Sequence, residues 1–162
     1  GVFTVDVNGK PVRVINAHLE TVGFSKEEKT HFSEIVHGVS EKEEMKHKSR
    51  VLLDKLAESA KIRGPQADEI NAYIERHAGE RIIFCGDIND HPLSYVRQTI
   101  AENLTDCYRE TGRWMGYTFE YLSMYVRIDN IMCSEHFTPY SCTVDKSIRE
   151  SDHYPIYCYL ND

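Results

Sequence analysis

The sequence has no CxxC spacing, and its five cysteines are an odd number, so neither a disulfide framework nor a structural zinc site is expected. Cys85, Cys133 and Cys158 sit in strand-like runs, where a cysteine is most often a small buried hydrophobe. No apolar run is long enough to cross a membrane, and no signal peptide opens the chain. There is no phosphate-cradling glycine-rich loop, and no serine or cysteine stands in a nucleophile-elbow pattern, which leaves covalent catalysis without support. Positive charge is also short, with 26 acidic residues against 19 basic and a net charge of −7. A protein held to long nucleic acid by phosphate contacts usually shows a basic face, and this composition advertises none. Bound divalent cations would offset part of the negative excess.

What is present is ordinary for a globular domain: 162 residues, 41% hydrophobic and 28% charged, enough for one domain with a real core. Val2-Phe3-Thr4-Val5 already reads as strand, so the chain is expected to be a piece of a longer one, and its compartment stays unassigned. Asn8-Gly9 is a hairpin signal between that strand and Val12-Arg13-Val14-Ile15, which runs on into Asn16-Ala17-His18. Ser25 to about His77 reads as helical, opened by a capping box from Ser25 to Glu28. Phe32, Ile35, Val36 and Val39 form one apolar stripe; Ser40 to Lys48 reads as a loop or solvated helix start. Val51, Leu52, Leu56 and Ala60 resume the stripe, Gly64-Pro65 is expected to break it, and Ile70, Tyr73 and Ile74 belong to a last helix.

The most informative stretch is Ile82-Ile83-Phe84-Cys85-Gly86-Asp87-Ile88-Asn89, a buried strand ended by glycine. The chain is expected to stay extended past Gly86, so Asp87 and Asn89 share a side. They read either as an Asx-type turn closing the strand or as a hand for a metal, a water or a phosphate. Asn16 and His18 repeat the geometry. After His91-Pro92 comes a short helix around Ser94–Ala101, then Thr105-Asp106-Cys107-Tyr108 and a loop from Gly112 to Gly116, in which Trp114 reads as a loop anchor rather than a substrate platform. Tyr117 to Glu120 is a strand candidate. Val126 to Met132 places Arg127 and Asp129 inside an apolar strand, where a carboxylate is costly unless paired or working. Asp152-His153 stands at the mouth of a last strand from Pro155 to Leu160. Collected, the strand ends supply His18, Asp87, Asn89, Asp129, Asp152 and His153. Aspartate oxygens with histidine suit Mg2+ or Mn2+ better than structural zinc, and point to attack by activated water.

The ordered motifs Asn16-x-His18, Gly86-Asp87-x-Asn89, Arg127-Ile128-Asp129 and Ser151-Asp152-His153 resemble the endonuclease/exonuclease/phosphatase superfamily, the DNase I-like group, over nearly the whole chain. The resemblance implies an α/β fold of the DNase I-like αββα sandwich type. Here it covers the second half of such a domain (residues 1–162 as one partial domain): a mainly antiparallel sheet with helices on one face. It implies that His153 faces the scissile phosphate and is oriented by Asp129, and that Asp87 positions the attacking water. Asn89 and His18 would hold phosphate oxygens, with Arg127 and Thr118 as further phosphate contacts, and Asp152 would join Asp87 at a Mg2+ or Mn2+ site. Asn16 looks like a rim hydrogen-bonder.

The first-half asparagine and metal-binding glutamate of that group have no counterpart here; Glu20 follows His18 too closely to replace the latter. Three expectations follow. The substrate is a phosphate ester, whether nucleic acid, lipid or small molecule. The chain alone is weakly active or inactive. Its uncovered sheet face pairs with the missing half of the domain or, in isolation, with a second copy as a homodimer. The competing reading is a non-catalytic binding module that keeps the rim without the chemistry.

Overall fold

The computed structural model describes residues 1–37, 42–121 and 124–162. Its elements run β1 (Val2–Val7), β2 (Lys10–His18), α1 (Lys26–His37), α2 (Lys42–Arg76), β3 (Ile82–Asp87), α3 (Tyr95–Ile100), β4 (Thr105–Asp106), α4 (Cys107–Thr111), β5 (Phe119–Tyr121), β6 (Met124–Val126), β7 (Asp129–Cys133), β8 (Thr138–Val144) and β9 (Ile156–Asn161). The main sheet has the order β1-β2-β3-β7-β4. Only the β2–β3 pairing in it is parallel; the other three are antiparallel. A helical crossover is what a parallel neighbour requires, and α1 and α2 supply it. The β1–β2 turn places Asn8 and Gly9 in the left-handed region, at φ of 55° and 77°, as a tight two-residue hairpin demands.

Alternation along the strands sends residues to two cores. On one face Ile15, Ile82, Phe84 and Met132 pack against Ala67 and Ile74 of α2 and Val96 and Ile100 of α3. On the other, Val12 and Cys133 pack with Cys107, Tyr108, Phe137 and Cys142, flanked by Ile83, Ile131, Ile156, Cys158 and Leu160. As expected, α2 and α3 cover one face, but the short α4 brings Cys107 and Tyr108 to the other. The opposite face is not bare, however: the separate β8–β9 ribbon lies over its centre. What stays open is the β1 side, where Phe3, Val5 and Val7 share the face of Val12 and Val14 and Phe3 is 58% exposed.

The helical readings divide. The Ser25–Glu28 capping box forms in both directions, with Glu28 N–H donating to Ser25 Oγ (3.1 Å) and Ser25 N–H to Glu28 Oε2 (2.7 Å). Gly64-Pro65 does not break the second helical segment, since α2 continues through Pro65. Pro65 is exposed, as is Lys61, whose carbonyl loses its helical donor, so water can take that bond. Of the two readings for Ser40–Lys48, a loop or a solvated helix start, the structure shows the second: the run is helical from Lys42 onward. Val39 and Ser40 lie outside the described residues. No helix among the described residues is long and apolar enough to cross a membrane.

Candidate active site

Strand pairing builds the site. His18, the last residue of β2, lies directly opposite Asp87, the last of β3, and Asp87 lies opposite Asp129, the first of β7. Because partners in register share a face, these three side chains form a row at one end of the sheet, on the side toward β8–β9. Asp129 therefore begins its strand rather than sitting within a continuous one, because Arg127-Ile128 interrupts the run between β6 and β7. The β2–β3 approach is tight at Gly86, where an added Cβ would stand 2.4 Å from the Ala17 carbonyl oxygen. Only glycine lets the two strands bring His18 and Asp87 together.

His153 reaches the row from the segment before β9, tied to Phe119 by a β-bridge. Its Nδ1 lies 2.9 Å from Asp129 Oδ2, and His18 Nε2 lies 3.5 Å from Asp87 Oδ2. Asp87, Asp129 and His153 each present a ligand atom within 4.8 Å of the others, so this group could hold a metal ion. The hydrogen bond with Asp129 lifts the His153 imidazole above its ordinary value; burial opposes this, and the charges of Asp129, Asp87 and Asp152 add to it. Burial pushes the Asp87 carboxyl up and the Asp129 charge adds to the rise, against the Asn89 N–H and the two histidines. Two carboxylates face each other here with no guanidinium or ammonium paired to Asp87 among the described residues.

The remaining predicted residues divide. Asp87 Oδ1 accepts from Asn89 N–H at 2.8 Å, so the Asx turn and the cluster exist together. The chain is not extended past Asp87, because Asn89 has φ of 51°. Asn89 thus leaves the face of Asp87, and its side-chain amide donates to the Leu19 carbonyl (3.0 Å). Thr118 is fully buried and braces the backbone, its Oγ1 accepting from Ile128 N–H (3.1 Å) and Asp129 N–H (3.0 Å). It therefore positions Asp129 and offers nothing to a phosphate. Arg127 is buried and donates to Asp106 Oδ2 (2.9 Å) and Asn130 Oδ1 (2.8 Å), so its guanidinium is committed away from the rim. The Asp152 side chain is exposed and stands outside the three-residue group, while its carbonyl accepts from Glu120 N–H at 3.0 Å. Asn16 lies back along β2, opposite Cys85. Trp114 is no anchor, being 96% exposed.

One contributor escaped the sequence reading. Arg63, buried on α2, donates from Nε to Asp90 Oδ2 (3.3 Å) and from a terminal nitrogen to the Glu20 carbonyl (3.3 Å). It ties the segments after β2 and β3 together behind His18 and Asp87. The available signal was an arginine spaced with Ser59, Ala67 and Ile70 on the helix face that turns inward.

Layered sheet and ribbon, with α2 and α3 on the outer face, define a DNase I-like α/β fold. Residues 54–153 match the model of the Endonuclease/Exonuclease/phosphatase family, and the chain belongs to that family, whose members are hydrolases of phosphate esters. Among solved structures it is similar to humanized TDP2 of D. rerio (TM-score 0.64, 16% identity, covering 99% of this chain and 59% of that one). It is similar to an endonuclease/exonuclease/phosphatase family protein from Bacteroides thetaiotaomicron (TM-score 0.59, 17% identity, 94% and 51%). A third is the mannosyl-6-phosphatase Bt3783 of the same organism (TM-score 0.52, 18% identity, 96% and 53%). The chain spans about half the length of these structures. No curated protein matches it.

Proposed function

We propose that the chain supplies the water-activating half of a divalent-metal-dependent phosphate-ester hydrolase. The observation that carries this reading is the Asp87–Asp129–His153 group, in which one carboxyl is raised and one imidazole is raised within a single cluster. Groups so perturbed suit proton transfer. Asp87 accepts the proton of the attacking water. His153, oriented by Asp129, stabilises negative charge developing on the phosphoryl oxygens, and His18 at the exposed end of the row contacts the same phosphate. The donor set fits a hard divalent cation, since two carboxylates stand close and the Asp87 charge is poorly compensated. Asp87 and Asp129 would hold it; such an ion polarises a phosphoryl oxygen when bound.

The uncovered strip of β1 favours a domain completed by further chain, and alone this chain self-associates through it. A monomer by light scattering at high concentration would sink the association. The functional test is Mg2+-dependent hydrolysis by a longer chain carrying both halves, assayed on abasic DNA, RNA, phosphoinositides, sphingomyelin and sugar phosphates. Asp87→Ala and His153→Ala are each expected to fall by a factor of about 10² or more. Unchanged rates in either would defeat the reading.

A further inference from the structure

The loop from Gly112 to Gly116 is built to hold Trp114 out. Trp114 is 96% exposed and adopts φ of 66°, a left-handed backbone that bulky aromatic residues rarely take. The loop is pinned from beneath by Tyr108. The Tyr108 hydroxyl donates to the Arg113 carbonyl, and Gly116 sits so close to the ring that a Cβ there would come within 2.0 Å of Tyr108 Cζ. A backbone locked in an unfavourable conformation, in order to expose the one tryptophan of the chain, has no folding rationale.

Beside it lies a cavity of about 690 Å³ between this loop and β8, lined among others by Arg113, Trp114, Tyr140, Thr143 and Lys146. That volume falls within the range of small-molecule sites, roughly 300–1,000 Å³. Among the described residues lining it there is no aspartate or glutamate, so two cations stand unneutralised in a chain of net charge −7. A relay of ring contacts links the cavity to the segment that carries His153. Lys146 Nζ sits 3.3 Å from the centre of the Tyr117 ring, and Tyr117 meets Tyr154 edge-on at 6.0 Å, next to His153.

We propose that this cavity binds a nucleotide unit, its base stacked on Trp114 and a phosphate held between Arg113 and Lys146. Planar rings stack on tryptophan whatever their sequence, and the two cations recognise the phosphate by charge-assisted hydrogen bonds. The assignment deepens the phosphate-ester reading and rests on it for one link, that the same ligand presents a further ester to the rim. The unit is either a free mononucleotide or the end of a single strand.

The single tryptophan makes its own probe. AMP, a short single-stranded oligonucleotide, mannose 6-phosphate and inorganic phosphate are titrated separately while Trp114 emission is followed, with free tryptophan as the control for absorption by the base. Saturable quenching by AMP or the oligonucleotide is expected, weakened about tenfold in Arg113→Ala and in Lys146→Ala and unchanged in Asp87→Ala. The tighter of the two nucleotides names the source. Circular dichroism on both variants shows that they fold. Silence toward both nucleotides, equal affinity for mannose 6-phosphate, or quenching indifferent to both substitutions would each overturn the assignment. None of these outcomes depends on hydrolysis, so the cavity and the catalytic reading fail separately.

Discussion

Two aspartates on this sheet have opposite fates. Asp106 is buried where β4 meets α4, its carboxylate paired with the guanidinium groups of Arg97 and Arg127 and accepting the N–H groups of Tyr108 (2.9 Å) and Arg109 (3.0 Å). Burial alone would raise that carboxyl, but the Arg127 charge, with hydrogen bonds from both arginines, holds it below the usual range. Asp87 has one backbone N–H and two nearby imidazoles but no guanidinium, faces Asp129, and is raised. The chain carries the cations for one carboxylate and leaves the other short of them. The first arrangement is structural. The second leaves a place for something brought in from outside.

The largest effect expected from breaking this contrast is at Asp106. Asp106→Ala strands two buried guanidinium groups and removes the α4 cap, and should cost about 3–5 kcal/mol, read from urea unfolding midpoints. The pH dependence has a definite sign. A carboxyl depressed in the folded state adds stability above its unfolded pKa and loses it as pH falls through the lower folded value. An acid limb below about pH 4 is therefore expected in the native chain. Asp106→Asn should flatten that limb; an unaltered limb would show that Asp106 does not carry it.

The hairpin, the capping box, the buried strand from Ile82 and the end-of-strand position of His18 and Asp87 were legible because each is written in neighbouring residues. Long-range partners were not. Arg127 beside Asp129 reads as a charged pair within one strand, yet an arginine follows whichever carboxylate lies within reach in the fold, and Asp106 is twenty-one residues back. Pro65 reads as a helix end because local propensity cannot see that its missing bond faces water. Trp114 reads as an anchor because exposure of a large aromatic side chain is a tertiary property.

Next in size is Thr118, which touches no charge yet sets where Asp129 stands. Thr118→Val keeps the shape and removes the one acceptor shared by two backbone N–H groups. A loss of about 1–3 kcal/mol is expected, largely restored by Thr118→Ser. If Thr118 instead met a phosphate, valine would spare stability and weaken only substrate binding, so unfolding and KM measured together separate the two roles.

The smallest effect on stability is expected where the effect on chemistry is greatest. Asp87→Asn keeps an oxygen for the Asn89 N–H and removes a charge that burial and Asp129 both oppose, so the unfolding midpoint should hold or rise, within about 1 kcal/mol of the native chain. Mg2+ should raise the melting temperature of the native chain by linkage and leave that of Asp87→Asn unmoved. Equal Mg2+ shifts in both would place any ion elsewhere. A clear loss of stability in Asp87→Asn would mean that its carboxylate is already compensated as Asp106 is, and the contrast between the two would collapse.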